Sequence, residues 1–307
     1  MKKIEVHLHT NTNCNLYCIH CYNHSGEGIA NQTDSPSDSD IIDSLIYLCR
    51  NYDTEIHLEG GEIFLRPELL KKMDSLPDDI LKRIVITTNG TILSRDETIL
   101  HMLRRISALR ISVESADPVI HKKIRGCELQ SVIANANEYK MNDVPVCIRM
   151  TLNQLNYKNF IHCNTLILSR MGFNVFQVYE FQSVGRGNDN CNMLALDNSL
   201  NLLIDELCST NINGISLKMM FSKKRVSEIL QMQQRLNSFN YRVDILEPEE
   251  GISIHANGDV YACAWENNSE KVIFNWYNDC EARQILNTQK LMHECENCTA
   301  IRITNLS

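Results

Sequence analysis

Three cysteines, Cys14, Cys18 and Cys21, stand near the start of the chain with three and then two residues between them. Thiolates bind soft and borderline metal ions, and this spacing suits two kinds of site. One is a mononuclear zinc site completed by His20 or His24, since structural zinc takes four protein ligands. The other is a four-iron four-sulfur cluster held by three thiolates, with one iron left open to bind and activate a small molecule.

Composition narrows the setting. The chain has 307 residues, 43% of them hydrophobic and 22% charged, which is enough for one large α/β domain plus an appendage. A net charge of -8 and a pI near 5.7 argue against a phosphate-tracking surface, so no nucleic-acid partner is expected. The first residues, MKKIEVHLHT, lack the apolar core of a secretion signal, and no apolar run is long enough to span a bilayer. A cytoplasmic protein without membrane contact is the expectation. Thirteen cysteines then point to metal or redox roles in preference to disulfides. A secreted disulfide protein would be shorter and would carry a signal sequence.

The thiols need elements to position them, and the hydrophobic pattern supplies these. Strand-like runs fall at 4–10, 54–59, 83–88, 108–114, 145–152 and 174–181, with amphipathic helical patterns between most of them. Ile41, Ile42, Leu45, Ile46 and Cys49 share one helical face, and Ser94 with Glu97 reads as a capping box. Six successive β-α units imply parallel strands: a doubly wound sheet or a partial (β/α)6 barrel. In such folds chemistry sits at the carboxyl ends of strands, where Cys14, Gly60, Gly61, Asn89 and Glu114 all fall. After residue 187 the pattern changes to a polar loop and helical runs. The stretch 251–263 reads as a β-hairpin with a type I′ turn at Asn257-Gly258. The expected division is a barrel over 1–187, a bridging helical region over 188–250 and a small α+β domain over 251–307.

The ordered set of motifs resembles the radical S-adenosylmethionine (radical SAM) superfamily. The CxxxCxxC loop follows the first strand, and Gly60-Gly61-Glu62 is similar to the family's GGE motif at the end of the second. Thr87-Thr88-Asn89-Gly90 ends the third strand, and Ser112-Val113-Glu114 ends the fourth. His121 to Gly126 is similar to the family's H-x-x-I-R-G, and Gly185-Arg186-Gly187 to its glycine-flanked turn after the sixth strand. Two positions depart from the pattern. Ile63 stands where many relatives have proline, and Glu114-Ser115 where Asp-Gly is common.

The resemblance implies a partial barrel of the TIM type whose cluster is held by Cys14, Cys18 and Cys21. SAM would chelate the open iron, and Gly60, Gly61, Glu62, Asn89, Ser112, Glu114 and Arg125 would bind it. His20, between two ligands, would face the adenine through its backbone.

The second cysteine set is similar to the twitch or shortened SPASM extension found in that superfamily. It implies one auxiliary four-iron four-sulfur cluster on Cys263, Cys295 and Cys298, with Cys280 as the natural fourth ligand. The alternative leaves Cys263 and Cys280 as small buried hydrophobes and gives Cys295 and Cys298 to zinc. Cys49, Cys147, Cys163 and Cys208 fall in apolar runs and read as core. Cys127 and Cys191 are candidates for a hydrogen-atom donor to a substrate radical, as in peptide epimerases of the superfamily; Cys191 is the one selected.

Relatives with such extensions mostly modify peptides, so the expected reaction is hydrogen abstraction from a ribosomally made peptide, leading to crosslinking, epimerisation or side-chain oxidation. An electron donor such as flavodoxin or ferredoxin is expected, and a separate peptide-recognition protein can deliver the substrate. The rival enzyme reading is dehydrogenation of a small polar alcohol, with the auxiliary cluster as electron acceptor. The rival of another class is a zinc-binding module without catalysis.

Overall fold

Polar and apolar residues alternate along the first strands, and the structure sorts them onto two faces. The computed structural model describes residues 3–26, 35–196, 200–246, 251–266, 268–284 and 299–306. Strands β1 (Lys3–His9), β2 (Asp53–Glu59), β3 (Ile84–Thr88), β4 (Ala108–Ser112), β5 (Val146–Leu152) and β6 (Val175–Glu180) pair in parallel in chain order. Ile4, Val6, Leu8, Ile56, Leu58, Ile84, Ile86, Leu109, Ile111, Ile148, Phe176 and Val178 point outward into the hydrophobic core. Burying each contributes roughly 1.5–3 kcal/mol. The residues between them, among them His7, Glu59, Arg110, Arg149 and Tyr179, point to the inner side. A parallel sheet is ordinarily apolar on both faces; here the inner face is polar.

Each of the six predicted strands is found, with ends shifted by one or two residues. The sheet also continues past them. β7 (Ser216–Ser222) adds parallel to β6, while β8 (Tyr241–Ile245) and β12 (Thr299–Asn305) extend that edge antiparallel. At the other edge β9 (Gly251–Ile254) lies parallel to β1, followed by β10 (Asp259–Tyr261) and β11 (Phe274–Asn275). The order is β11-β10-β9-β1-β2-β3-β4-β5-β6-β7-β12-β8, with no pairing among the described residues that closes the ring. The architecture is a mixed α/β fold of the partial-barrel type. Among the described residues, no helix is long and apolar enough to cross a membrane.

Local chemistry explains several boundaries and corrects others. The first helix, Asp38–Asn51, starts at Ser37, whose hydroxyl caps Asp40 while the Asp40 carboxylate returns to the Ser37 backbone. Of the expected face, Ile41, Leu45 and Cys49 are buried, Ile42 and Ile46 are only partly buried, and Leu48 joins the inner side. The capping box expected at Ser94 does not form. Asp96 caps the helix Glu97–Arg105, because the Ser94 N–H is taken by the Tyr139 hydroxyl and its own hydroxyl accepts from the Asp96 N–H.

The hairpin turn is also different. The Gly258 N–H donates to the His255 carbonyl at 2.8 Å, and only the glycine takes the left-handed conformation (φ 89°). A type I′ turn would need Asn257 left-handed too, so this is a type I turn followed by a left-handed glycine. Cys49, Cys147 and Cys208 are buried as expected, whereas Cys163 is exposed, on the outer side of the helical turn Ile161–Thr165. None of the described cysteines forms a disulfide.

Candidate active site

The loop after β1 continues the β1–β2 pairing before it turns into the cysteines. Thr10 donates to the Glu59 carbonyl at 2.9 Å, Gly61 to that of Asn11 at 2.8 Å and Glu62 to that of Asn13 at 2.8 Å. The two segments run so close that a Cβ at Gly60 would lie 2.5 Å from the Asn11 carbonyl oxygen. One at Gly61 would lie 1.8 Å from that of Asn13. Both glycines are therefore required by their own protein neighbour, before any ligand is considered.

From there the loop carries Cys14, Cys18 and Cys21 to one wall of an open cleft. Cys14 and Cys18 are buried and Cys21 is half-buried. Burial pushes the Cys14 thiol up and the Cys18 thiol to about 12, so a cation is needed to hold them as thiolates. Two sulfurs on one zinc ion, each at about 2.3 Å, lie no more than about 4.6 Å apart. Among the described residues, the one trio of possible ligands gathered within 4.8 Å is Glu5, His7 and His57. There the Arg110 guanidinium already lies 3.3 Å from His57 Nδ1 and supplies positive charge.

The three cysteine sulfurs do not gather into such a set. Neither histidine completes a zinc site. His20 Nε2 pairs with the Glu114 carboxylate at 3.1 Å, and His24 is held at positive φ on the loop.

The loop is clamped from the far end of the barrel. Arg186 donates through its guanidinium to the carbonyls of Cys18 at 2.8 Å and Ser25 at 2.6 Å. Its backbone N–H reaches the Cys21 carbonyl at 2.9 Å, and its guanidinium lies 3.3 Å from the Tyr17 ring centre. Gly185 takes φ 54°, and a Cβ there would lie 2.2 Å from the Tyr22 carbonyl oxygen, so the turn sits directly on the cysteine loop.

The other predicted residues meet here with different roles. Gly60, Gly61, Asn89, Ser112, Glu114 and Arg125 all line the cleft. Asn89 Nδ2 donates to Asn15 at 2.8 Å and approaches the Cys14 sulfur at 3.9 Å. Glu114 accepts from Arg125 at 2.9 Å and from the Thr151 backbone at 2.7 Å. Burial works against its charge, but His20 and Arg125 outweigh it and hold the carboxyl down at about 2. Two buried nitrogens at this wall have no protein partner, His20 Nδ1 and Arg125 Nε. Polar groups left in this state fit a wall that a ligand completes.

Glu62 is fully buried and does not line the cleft. Its carboxylate accepts from Phe64 N at 3.0 Å, the Thr88 hydroxyl at 2.7 Å and Asn89 N at 2.8 Å. It ties the ends of β2 and β3 together, and Gly60 and Gly61 are the residues of this turn that line the cleft. Cys191 and Cys127 are likewise off the cleft. Cys191 approaches only its neighbour Asn192, at 3.9 Å, and Cys127 lies 3.5 Å from His121 Nε2.

The deeper floor had no sequence signal. The Tyr22 hydroxyl donates to Glu59 at 2.5 Å, His7 Nδ1 donates to the same oxygen at 3.2 Å, and Arg149 lies 3.5 Å from the other. The C-terminal hairpin contributes Trp265, whose ring meets that of Tyr22 edge-on at 5.3 Å. The Trp265 backbone N–H donates to the sulfur of Cys263 at 3.3 Å, so the second cysteine set begins beside this cleft. Cys263 is buried and Cys280 exposed, while Cys295 and Cys298 lie outside the described residues.

A parallel partial barrel with three cysteines after its first strand and a GGE turn after its second defines a class of cluster-dependent enzymes. Residues 8–161 match the model of the Radical SAM superfamily, and the chain belongs to that superfamily. It is an enzyme whose cofactors are a four-iron four-sulfur cluster and S-adenosylmethionine. The zinc-module reading is thereby set aside.

Among curated proteins, the chain is 26% identical over 179 residues to a probable GTP 3',8-cyclase of Methanococcus aeolicus, covering 56% of this chain and 57% of that one. It is 25% identical over 182 residues to an AdoMet-dependent heme synthase of Methanosarcina barkeri, covering 58% of this chain and 50% of that one. The chain thus spans about half the length of these relatives. By fold it is similar to SuiB of Streptococcus suis, with a TM-score of 0.64 at 14% identity, over 93% of this chain and 68% of that one. It is also similar to anSMEcpe with bound AdoMet, with a TM-score of 0.58 at 15% identity, over 90% of this chain and 78% of that one.

Proposed function

We propose that this enzyme modifies a ribosomally made peptide by hydrogen abstraction, with SAM bound at the Cys14/Cys18/Cys21 loop and an auxiliary cluster in the C-terminal segment. The observation that carries this reading is the single cleft shared by the three-cysteine loop and Trp265 of the Cys263 hairpin. Two fold neighbours support it: SuiB has been solved with its precursor peptide SuiA, and anSMEcpe with AdoMet and a peptide.

When bound, the cluster and SAM supply a 5′-deoxyadenosyl radical that takes a hydrogen atom from the substrate. The chain's residues position and shield that event. Cys14, Cys18 and Cys21 hold the cluster. The Gly60–Gly61 backbone, Asn89, Ser112 and Arg125 bind SAM, with Glu114 fixing Arg125. Glu62 acts one step back by fixing the β2 and β3 ends. Cys263, Cys280, Cys295 and Cys298 hold the auxiliary cluster. A reduced flavodoxin or ferredoxin delivers the electron in the cytoplasm, and a separate recognition protein can present the peptide.

Anaerobic reconstitution tests the reading. The wild type should bind about eight irons, about four per cluster. Alanine at Cys14, Cys18 and Cys21 together should remove about half of the iron and all SAM cleavage. Retained cleavage in that variant overturns the site. A genome-encoded short peptide that is mass-shifted by the enzyme supports the substrate class. Turnover of a small polar alcohol, with no change to any peptide, favours the dehydrogenase reading instead.

A further inference from the structure

The charged groups lining the cleft are held by hydrogen bonds, with one exception. Glu114 is held by Arg125 and His20. Glu180 accepts from Arg225 at 2.7 Å and from the Ser222 hydroxyl at 2.7 Å. Glu59 takes hydrogen bonds from Tyr22 and His7. Burial opposes the charge on His7, but Glu59 and Glu5 outweigh it and raise the imidazole to about 9, so its positive charge already answers Glu59.

Arg149 is that exception: it is ion-paired with Glu59 but makes no hydrogen bond to it. It projects from β5 across the lumen toward Glu59 on β2, stopping at 3.5 Å, beyond ordinary hydrogen-bond length. Its guanidinium lies 5.0 Å from the Tyr179 ring centre, which braces it without using its N–H groups. A guanidinium carries five donors in a planar fork, and no side-chain hydrogen bond joins those of Arg149 to any described residue. The side chain is 17% exposed, and it lines the cleft. Arg125 on the same cleft is by contrast bonded to Glu114.

We propose that Arg149 is a specificity-determining residue that receives a carboxylate of the substrate as a bidentate pair, so that the group presented to the radical site is acidic. A fork of N–H donors in a low-dielectric cleft matches a carboxylate in shape and charge, and matches a carboxamide or an alkyl group less well. The carboxylate comes from an aspartate or glutamate side chain of a peptide or from a small free acid. This inference rests on the cleft being the substrate site proposed above.

The test uses the reconstituted enzyme with SAM under anaerobic conditions and equilibrium dialysis of defined probes. N-acetyl-aspartate N-methylamide, its glutamate homologue and succinate are compared with N-acetyl-asparagine and N-acetyl-leucine N-methylamides. Wild type should retain the acids about tenfold or more better than the neutral probes. Retention of the amino-acid derivatives over succinate identifies a peptide source, and the reverse a small acid. Arg149→Gln should abolish the preference. Arg149→Lys, which keeps the charge beside Glu59 but not the fork, should retain part of it.

Equal retention of acid and neutral probes by wild type overturns the proposal, as does an intact preference in Arg149→Gln. SAM cleavage by wild type is measured in the same samples. Cleavage without acid preference overturns the role of Arg149 alone, and absence of cleavage overturns the radical reading itself.

Discussion

Arg186 donates to the backbone carbonyl of Cys18 at 2.8 Å across 168 residues of sequence. The exit of β6 thereby fixes the loop that follows β1, and the three-cysteine loop is held by the two ends of the barrel together. Arg186→Ala should leave the carbonyls of Cys18 and Ser25 without that donor and loosen the loop. The expected result is loss of most of the iron at the first site, read by iron assay, with a lower Tm. Arg186→Lys should rescue little, because one ammonium cannot reproduce a fork that serves two carbonyls. Full iron retention in the alanine variant would contradict the clamp.

Gly61→Ala tests whether the GGE glycines serve the protein before the ligand. The added carbon would lie 1.8 Å from the Asn13 carbonyl oxygen, and a backbone atom cannot step aside cheaply. We expect misfolding or a loss of several kcal/mol in chemical denaturation, in the range of severe core substitutions. A stable variant that had merely lost SAM affinity would show instead that the ligand alone demands the glycine.

Two buried groups set opposite limits on pH stability. His7 is raised to about 9, so its contribution is complete below about 6.5 and fades as pH rises through 9. Glu114 is lowered to about 2, so its contribution is present above about 4.5 and is lost as pH falls toward 2. Each full shift corresponds to roughly 3 kcal/mol at most. His7→Gln should flatten the alkaline limb of a denaturation midpoint profile and leave the acid limb alone. An unchanged alkaline limb would show that His7 is not the group responsible.

Cys280→Ala addresses the second cluster. Cys280 is exposed on the segment that follows β11, so little packing is lost on replacing it. Iron bound should drop from about eight toward about four, with the signal of the first cluster unchanged by electron paramagnetic resonance. Undiminished iron would remove Cys280 from the ligand set.

Much of this was readable in the chain, because it is written locally. The CxxxCxxC loop, the GGE turn and six strands with helical runs between them are short-range patterns, and each lies where its spacing places it. What was hidden depends on distance. No local pattern joins Glu59 to Arg149 or Arg186 to Cys18, since those pairs exist only once the sheet has curved. β7, β8 and β12 escaped because helical runs surround them and two of the three pair antiparallel at an outer edge. Glu62 reads as a ligand residue by motif, yet three donors from its own turn and the end of β3 claim its carboxylate. The Ser94 capping box failed for a similar reason, a tertiary contact to Tyr139 that sequence spacing cannot contain.

The pairing of β1 with β9 sets Glu5 opposite Gly251. During synthesis, every residue from the cysteine loop through the Arg186 clamp leaves the ribosome before β9 exists. At 5–20 residues per second, the stretch between residues 187 and 251 takes roughly 3 to 13 seconds to emerge. Through that interval the edge of β1 is bare, and the cleft lacks Trp265.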